Sequence, residues 1–541
     1  MKLRNKYTDL FSLDRVPRLF LAVFISLSLS NLLHGGNDQW ITEQVPDKVL
    51  GQPDFETRDS EAGAEDLNRP RDIAIDPMTG KVFVSDSSNH RVLRYENYAD
   101  VESGASAEAV FGQDDFEQSS SGLDAGSMNL PHGVACGPNG ELWVADYNNH
   151  RVLRFDNAAT AESGADADGV LGQSDFVSNT NATTRAGLYG PRGLSCDYQG
   201  NLIIADLFND RVIVHGQAHL KSDGADADFV LGQPDFETNG SGNDSATFSK
   251  PSGVFLTDDR ALYVADSSNN RIVIFDDVSG LESGADASRV LGQSDFGISI
   301  PDISSTKFYY PADVWVTDTD KLFVCDRTNT RILVFENAST INGLVEAKAA
   351  IGAPSFTETG SGDVTTDILT TWGILVDPDN RLWVADYGNN RVLIFDEEYT
   401  QADLTIGDSV TRQKGENVYS TSGAGQKKRV RTSGRKVKLH CRIGNDGSFA
   451  ESFICSGTRT TRKFKVKHFA YTPSKANVTA QVKAGTYVSN EISTSSYLSY
   501  RMDVKPKKSA GSRARINAYV KASAITDGDS DRVIGKVFYR E

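Results

Sequence analysis

The chain of 541 residues, 39% hydrophobic and 24% charged, has the composition of a folded protein and the length for more than one domain. Its net charge of −17 is unevenly spread: residues 1–36 hold five Lys/Arg and two Asp/Glu, residues 427–541 hold 25 and eight, and the body between is left with −37. So acidic a body excludes nucleic acid as its partner, whereas the basic end suits an anionic cell surface or the acidic body itself.

The N-terminus carries Lys2, Arg4, Lys6, Arg15 and Arg18, followed by the apolar run Leu19 to Leu33. A basic start before a short apolar stretch is the pattern of a secretory signal. The run is shorter than the roughly 20 residues a membrane span needs, so residues 1–36 read as a signal peptide or, alternatively, an anchor. The mature protein is then secreted, periplasmic or held at the cell surface.

From Val49 the chain repeats. An Asp recurs at Asp86, Asp146, Asp206, Asp266, Asp326 and Asp386, and an Arg follows each at Arg91, Arg151, Arg211, Arg271, Arg331 and Arg391. The step is 60 residues. Such a period implies stacked units or a closed ring. Within a unit, an apolar pair precedes Gly-Gln, as in Val170-Leu171-Gly172-Gln173. A polar loop follows, then Pro-x-Gly or Pro-x-Asp opening a β-branched run. Asn139-Gly140 is a hairpin signal, and Leu142–Asp146 and Arg151–Phe155 read as the next two strands. Four short strands per unit without helical period describe a propeller blade. Six units predict an all-β, six-bladed propeller over 37–410. The strand at Val49 is expected to complete the last blade; the truncated copy Leu404-Thr405-Ile406-Gly407 is the other candidate.

The tripeptides Asn89-His90-Arg91, Asn149-His150-Arg151, Asn209-Asp210-Arg211, Asn269-Asn270-Arg271, Asn329-Thr330-Arg331 and Asn389-Asn390-Arg391 resemble the signature of the NHL-repeat β-propeller family, with Arg at the third position. The resemblance covers about 49–407. It implies the fold; for function it implies a range from scaffolds and ligand-binding modules to relatives of metal-dependent lyases and lactonases.

Residues 411–428 are polar and rich in breakers, as a linker is. From 429 to 541 alternating runs without the 60-residue period suggest a small β-sandwich. The run CRIGNDGSFAESF resembles the opening hairpin of bacterial immunoglobulin-like adhesion domains. Cys441 and Cys455 flank its turn, which predicts adjacent antiparallel strands and allows a disulfide.

Six copies of Asp and Arg suit a structural clip better than a catalytic pair, since a ring needs one clip per blade. Function should lie where the copies differ. After the strand-opening Pro the units read Arg71, His132, Arg192, Ser252, Ala312 and Trp372, near the central channel. Arg71, His132 and Arg192, on neighbouring blades, could together hold an anion. The first loop position after the repeated Asp reads Ser87, Tyr147, Leu207, Ser267, Arg327 and Tyr387, which adds Tyr147 and Tyr387 to the candidate face. No catalytic residue is assigned. Of eight histidines only His132 faces the channel, short of the three that zinc chemistry usually needs. No metal site is expected beyond loose calcium binding at the acidic loops 164–168 and 224–228. These residues predict an exported binding or scaffold protein whose propeller face takes a protein, a glycan or a small anionic ligand. The alternative is an extracytoplasmic metal-dependent lyase or lactonase acting in the channel.

Overall fold

In the computed structural model the chain divides into two compact units, one comprising Trp40–Asp396 and the other starting at Glu397. The structure describes residues 40, 42, 44–360 and 368–397, and beyond them the backbone of the strands between 402 and 539 with one short helix, Thr479–Ala484. The expected signal segment 1–36 and residues 411–426 of the expected linker lie outside the described residues, while Lys427 and Lys428 already begin the strand Lys427–Thr432.

The first unit is a six-bladed β-propeller of four-stranded antiparallel sheets. Blade 2 is representative. Its strands are Pro131–Cys136, Leu142–Asp146, Arg151–Phe155 and Gly169–Leu171, in that order from the axis outwards. The second strand, Leu-Trp-Val-Ala-Asp, is buried at all five positions. That is why no polar alternation marks it in the sequence: both faces of a blade pack on neighbours. Six hydrophobic clusters follow, each built from two adjacent blades; Val212, Phe229 and Leu231 of blade 3, for example, meet Val254, Leu262 and Phe275 of blade 4.

Blades 1–5 take all four strands from one repeat. Blade 6 takes three, Thr371–Val376, Leu382–Asp386 and Arg391–Phe395, and its outer strand is Lys48–Leu50, with Val49 opposite Leu393. The N-terminal strand therefore closes the ring. Trp40 reinforces the closure by packing edge-on against Phe323 at 5.3 Å. Ala402–Gly407, the alternative closing strand, pairs with Val437–Asn445 in the second unit.

Each repeated Asp–Arg pair lies within its own blade. All six Nε–Oδ2 distances are 2.7–2.8 Å, and every one of these side chains is fully buried. Asp146 also accepts from Asn129 N and Asn149 Nδ2. Arg151 continues outward, donating to the carbonyls of Asp124, Ser127 and Phe176. One ion pair thus ties the long loop, the hairpin turn and the segment after Gly-Gln. The recurrent Phe of that segment supplies the accepting carbonyl, at Phe55, Phe116, Phe176, Phe236 and Phe356.

Between Asp and Arg runs a single 3₁₀ turn ending in a left-handed residue: His90, His150, Asp210, Asn270, Thr330 and Asn390, φ 48–54°. This middle position of the tripeptide is a staple to the next blade. His90 Nδ1 accepts from Leu130 N, His150 Nδ1 from Gly190 N, Asp210 Oδ1 from Lys250 N, Asn270 Oδ1 from Tyr310 N and Asn390 Oδ1 from Arg69 N. His, Asp and Asn interchange there because each offers an acceptor and tolerates the left-handed region.

The backbone of the second unit forms two five-stranded sheets. Cys441 and Cys455 do not lie on adjacent strands as expected. Val437–Asn445 belongs to one sheet, between Ala402–Gly407 and Ser496–Pro506, while Phe453–Gly457 belongs to the other and pairs with Arg515–Ala524. The two cysteine side chains lie outside the described residues.

Candidate functional site

The inner strands open with a β-bulge in five of the six blades: pairing resumes only at the fourth residue, as between Pro131 and Val134 opposite Asp146 and Val144. A bulge re-aims the residue it contains. Here it turns the variable residue after Pro towards the axis. Arg71, His132, Arg192, Ser252, Ala312 and Trp372 accordingly line one cavity of about 30 Å³, together with the next residue of each strand.

That next residue forms a second, tighter layer. A methyl on Gly133 would lie 2.1 Å from the Arg192 carbonyl oxygen, and one on Gly193 2.3 Å from that of Ser252. Glycine is needed where backbones approach this closely. Two blades break the rule and place a carboxyl in this layer, Asp72 and Asp313. Asp72 Oδ2 accepts from Val134 N and Asp313 Oδ2 from Ile374 N, each on the following blade at 2.9 Å.

Above the acids sits a collar of three arginines from alternate blades, 1, 3 and 5. Arg192 and Arg327 each place the guanidinium carbon 3.8 Å from the centroid of Trp372, and Arg71 lies 4.7 Å from it. Arg71 also lies 4.9 Å from Tyr387, and Arg327 5.5 Å from Tyr310. Cation–π stacking holds the planar groups in place but neutralises nothing. Among the described residues no carboxylate lies within ion-pair distance of any of the three, and Nε of Arg71, Nε of Arg327 and Nε1 of Trp372 are buried without a hydrogen-bond partner. Burial lowers the Arg192 pKa, and the neighbouring Tyr310 hydroxyl opposes that shift.

The electrostatics follow from burial. Desolvation, and then the Arg192 charge, brings Arg71 down to about 9, which still leaves it protonated at neutral pH. Desolvation pushes Asp72 up to about 7 against two backbone hydrogen bonds. Desolvation and the neighbouring Asp72 push Asp313 well above the carboxylate range. The mouth thus holds three cations over two acids that burial shifts towards the neutral form, and is net positive.

His132 does not join the arginines. Its ring stacks on Tyr147 at 3.9 Å and 10°, both its nitrogens are buried and unpartnered, and burial followed by Arg71 and Arg192 holds its pKa well below the usual range. It is a neutral, aromatic wall. The third cation is Arg327, from the loop position after the repeated Asp326. Of the expected residues, Arg71, Arg192, Trp372 and Tyr387 converge on the mouth, and Tyr147 reaches it through His132. Ser252 turns aside, donating to the Ala312 carbonyl. Asp72 and Asp313 were signalled by the sequence only as departures from Pro-x-Gly, and Tyr310 had no signal.

Among the described residues no three His, Cys, Asp or Glu side chains gather as metal ligands would. In the acidic loops Asp168 accepts from Asp156 N and Asp228 pairs with Lys221 at 2.7 Å. No described helix is long and apolar enough to cross a membrane.

The NHL repeat model matches residues 67–95, 128–155, 248–275 and 372–395, so the chain carries NHL repeats. It is 25% identical over 228 residues to Protein SUPPRESSOR OF QUENCHING 1, chloroplastic, of Arabidopsis thaliana, a match covering 40% of this chain. The matched region spans a fifth of that relative's length. Among solved structures, a streptogramin B lyase aligns with 63% of this chain and 96% of its own at 13% identity and a TM-score of 0.36. A gluconolactonase of Xanthomonas campestris aligns with 65% and 98% at 15% identity and a TM-score of 0.35.

Proposed function

We propose that this chain is an exported binding protein whose propeller captures an anionic group at the mouth of its central channel. One observation carries the reading: three guanidiniums, from Arg71, Arg192 and Arg327, share one indole with no carboxylate paired to any of them among the described residues. Like charges held this close out of water are costly. An anion seated among them removes the cost and gains charge-assisted hydrogen bonds from the unpartnered donors.

Export rests on the basic and apolar pattern of residues 1–33, and contact with an anionic cell surface on the basic C-terminal region. A metal-dependent lyase or lactonase finds less support. The histidine nearest the axis is a stacked, neutral ring wedged beside two arginines, and the remaining donors, Asp72 and Asp313, are engaged with backbone N–H groups.

The test is a titration of the full chain with acetate, followed by tryptophan fluorescence, since Trp372 is in contact with all three arginines. Saturable quenching is expected, absent in Arg192→Met. A wild-type chain that shows no saturable response to acetate would sink the reading.

A further inference from the structure

Building on the mouth as an anion site, we infer that its ligand is an aryl carboxylate, bound with the acid among the arginines and the ring on a shelf formed by Tyr147 and Phe208. The arginines stand at the mouth of the channel, Arg71 and Arg192 lining its cavity together with Trp372 and Arg327 stacked on the same indole, so an anion held among them extends its body over the face of the propeller.

The face offers one direction for that body. Towards blades 5, 6 and 1 the rings of Tyr310, Trp372 and Tyr387 already carry guanidiniums. Towards blades 2 and 3 a run of rings leaves the mouth. His132 stacks on Tyr147 at 3.9 Å, Tyr147 meets Phe208 at 6.0 Å, and Phe208 meets Tyr189 at 4.9 Å. Phe208 is 38% exposed, an apolar ring at the surface beside a cationic pocket. A flat aromatic body fits this shelf: offset or edge-on ring contacts add to the burial of apolar area, and the short link between ring and acid matches a shelf that starts at the collar. The mouth selects for negative charge and the shelf for a ring.

The experiment compares phenylacetate, acetate and the uncharged phenylacetamide on the full chain by calorimetry. Phenylacetate is expected to bind about tenfold tighter than acetate, a difference of about 1.4 kcal/mol, and phenylacetamide to give no measurable heat. Phe208→Ala, at the surface and outside the clips, is expected to bring phenylacetate down to the affinity of acetate while leaving acetate unchanged. Acetate binding without a gain for phenylacetate, or a gain that survives Phe208→Ala, overturns this inference and leaves the anion site standing. Failure of both acids to bind overturns the two together.

Discussion

Arg192 and Trp372 meet across the channel axis, 3.8 Å from guanidinium carbon to ring centroid, although they stand on blades 3 and 6, which face one another. Trp372 thus reaches to the far side of the channel mouth and becomes the common platform for three cations. The arrangement leaves positive charge unspent, and that property can be measured.

Arg192→Met removes one of the three like charges while keeping most of the side-chain volume. The ligand-free variant is expected to melt about 2–4 °C above the parent, roughly 1 kcal/mol. Acetate should raise the melting temperature of the parent and leave that of the variant unchanged. Calorimetry with and without acetate checks both halves.

Asp72 makes anion binding pH-dependent. Its folded pKa of about 7 stands above the ordinary carboxylate range because of its burial, so the folded state holds the proton more tightly than the unfolded chain does. The ionised carboxyl therefore opposes folding above pH 7, and this opposition fades as pH falls through 7. The same protonation removes a negative charge beneath the arginines. Acetate, which stays ionised between pH 8 and 6, is expected to bind about three- to tenfold tighter at pH 6 than at pH 8. Asp72→Asn should flatten that profile at the tighter level.

Asp146 holds three donors in a fully buried site: Arg151 Nε, Asn149 Nδ2 and Asn129 N. Asp146→Asn strands the Arg151 charge and is expected to cost about 3–5 kcal/mol in urea unfolding. The double variant Asp146→Leu, Arg151→Met should cost much less than the two single changes added together, because it leaves no buried charge behind.

Thr330 occupies the stapling position with a β-branched side chain at φ 53°, a conformation such residues avoid. Where Asn270 Oδ1 accepts from Tyr310 N, the Thr330 hydroxyl instead donates to the Gly360 carbonyl at 3.5 Å. Thr330→Asn is expected to stabilise the propeller by about 1 kcal/mol, and Asn270→Ala to destabilise it by a similar amount. Thermal unfolding of the pair of variants checks the sign of each.

Much of this was legible because a propeller writes its geometry into a period. Residues repeated at one register, such as Asp86 and Arg91, form buried ion pairs, and position 71 and its equivalents line the channel cavity. Orientation was not legible. His132 shares the register of Arg71 and Arg192, yet stacks on Tyr147, because an imidazole gains more from a ring beside it than from two cations. Arg327 comes from another strand end and enters the collar through the length of its side chain. The middle residue of the Asn-x-Arg tripeptide looked variable, because the constraint on it is an acceptor atom and a left-handed backbone, which several residue types satisfy. The strand exchange at Cys441 and Cys455 was hidden for a different reason: a turn signal between two strands does not say whether they return to the same sheet.

Ring closure also sets an order of events. Gln52, just after the closing strand, donates to the Asn390 carbonyl, 338 residues further on. During synthesis the first strand must therefore wait, its edge unpaired, until nearly the whole propeller has emerged. Each intermediate blade can pack on its predecessor as it appears, but blade 6 is incomplete until the beginning of the chain is recruited to it. The last step of folding is thus the longest loop closure in the molecule, and a break in the chain near residue 50 would be felt at the opposite end of the propeller.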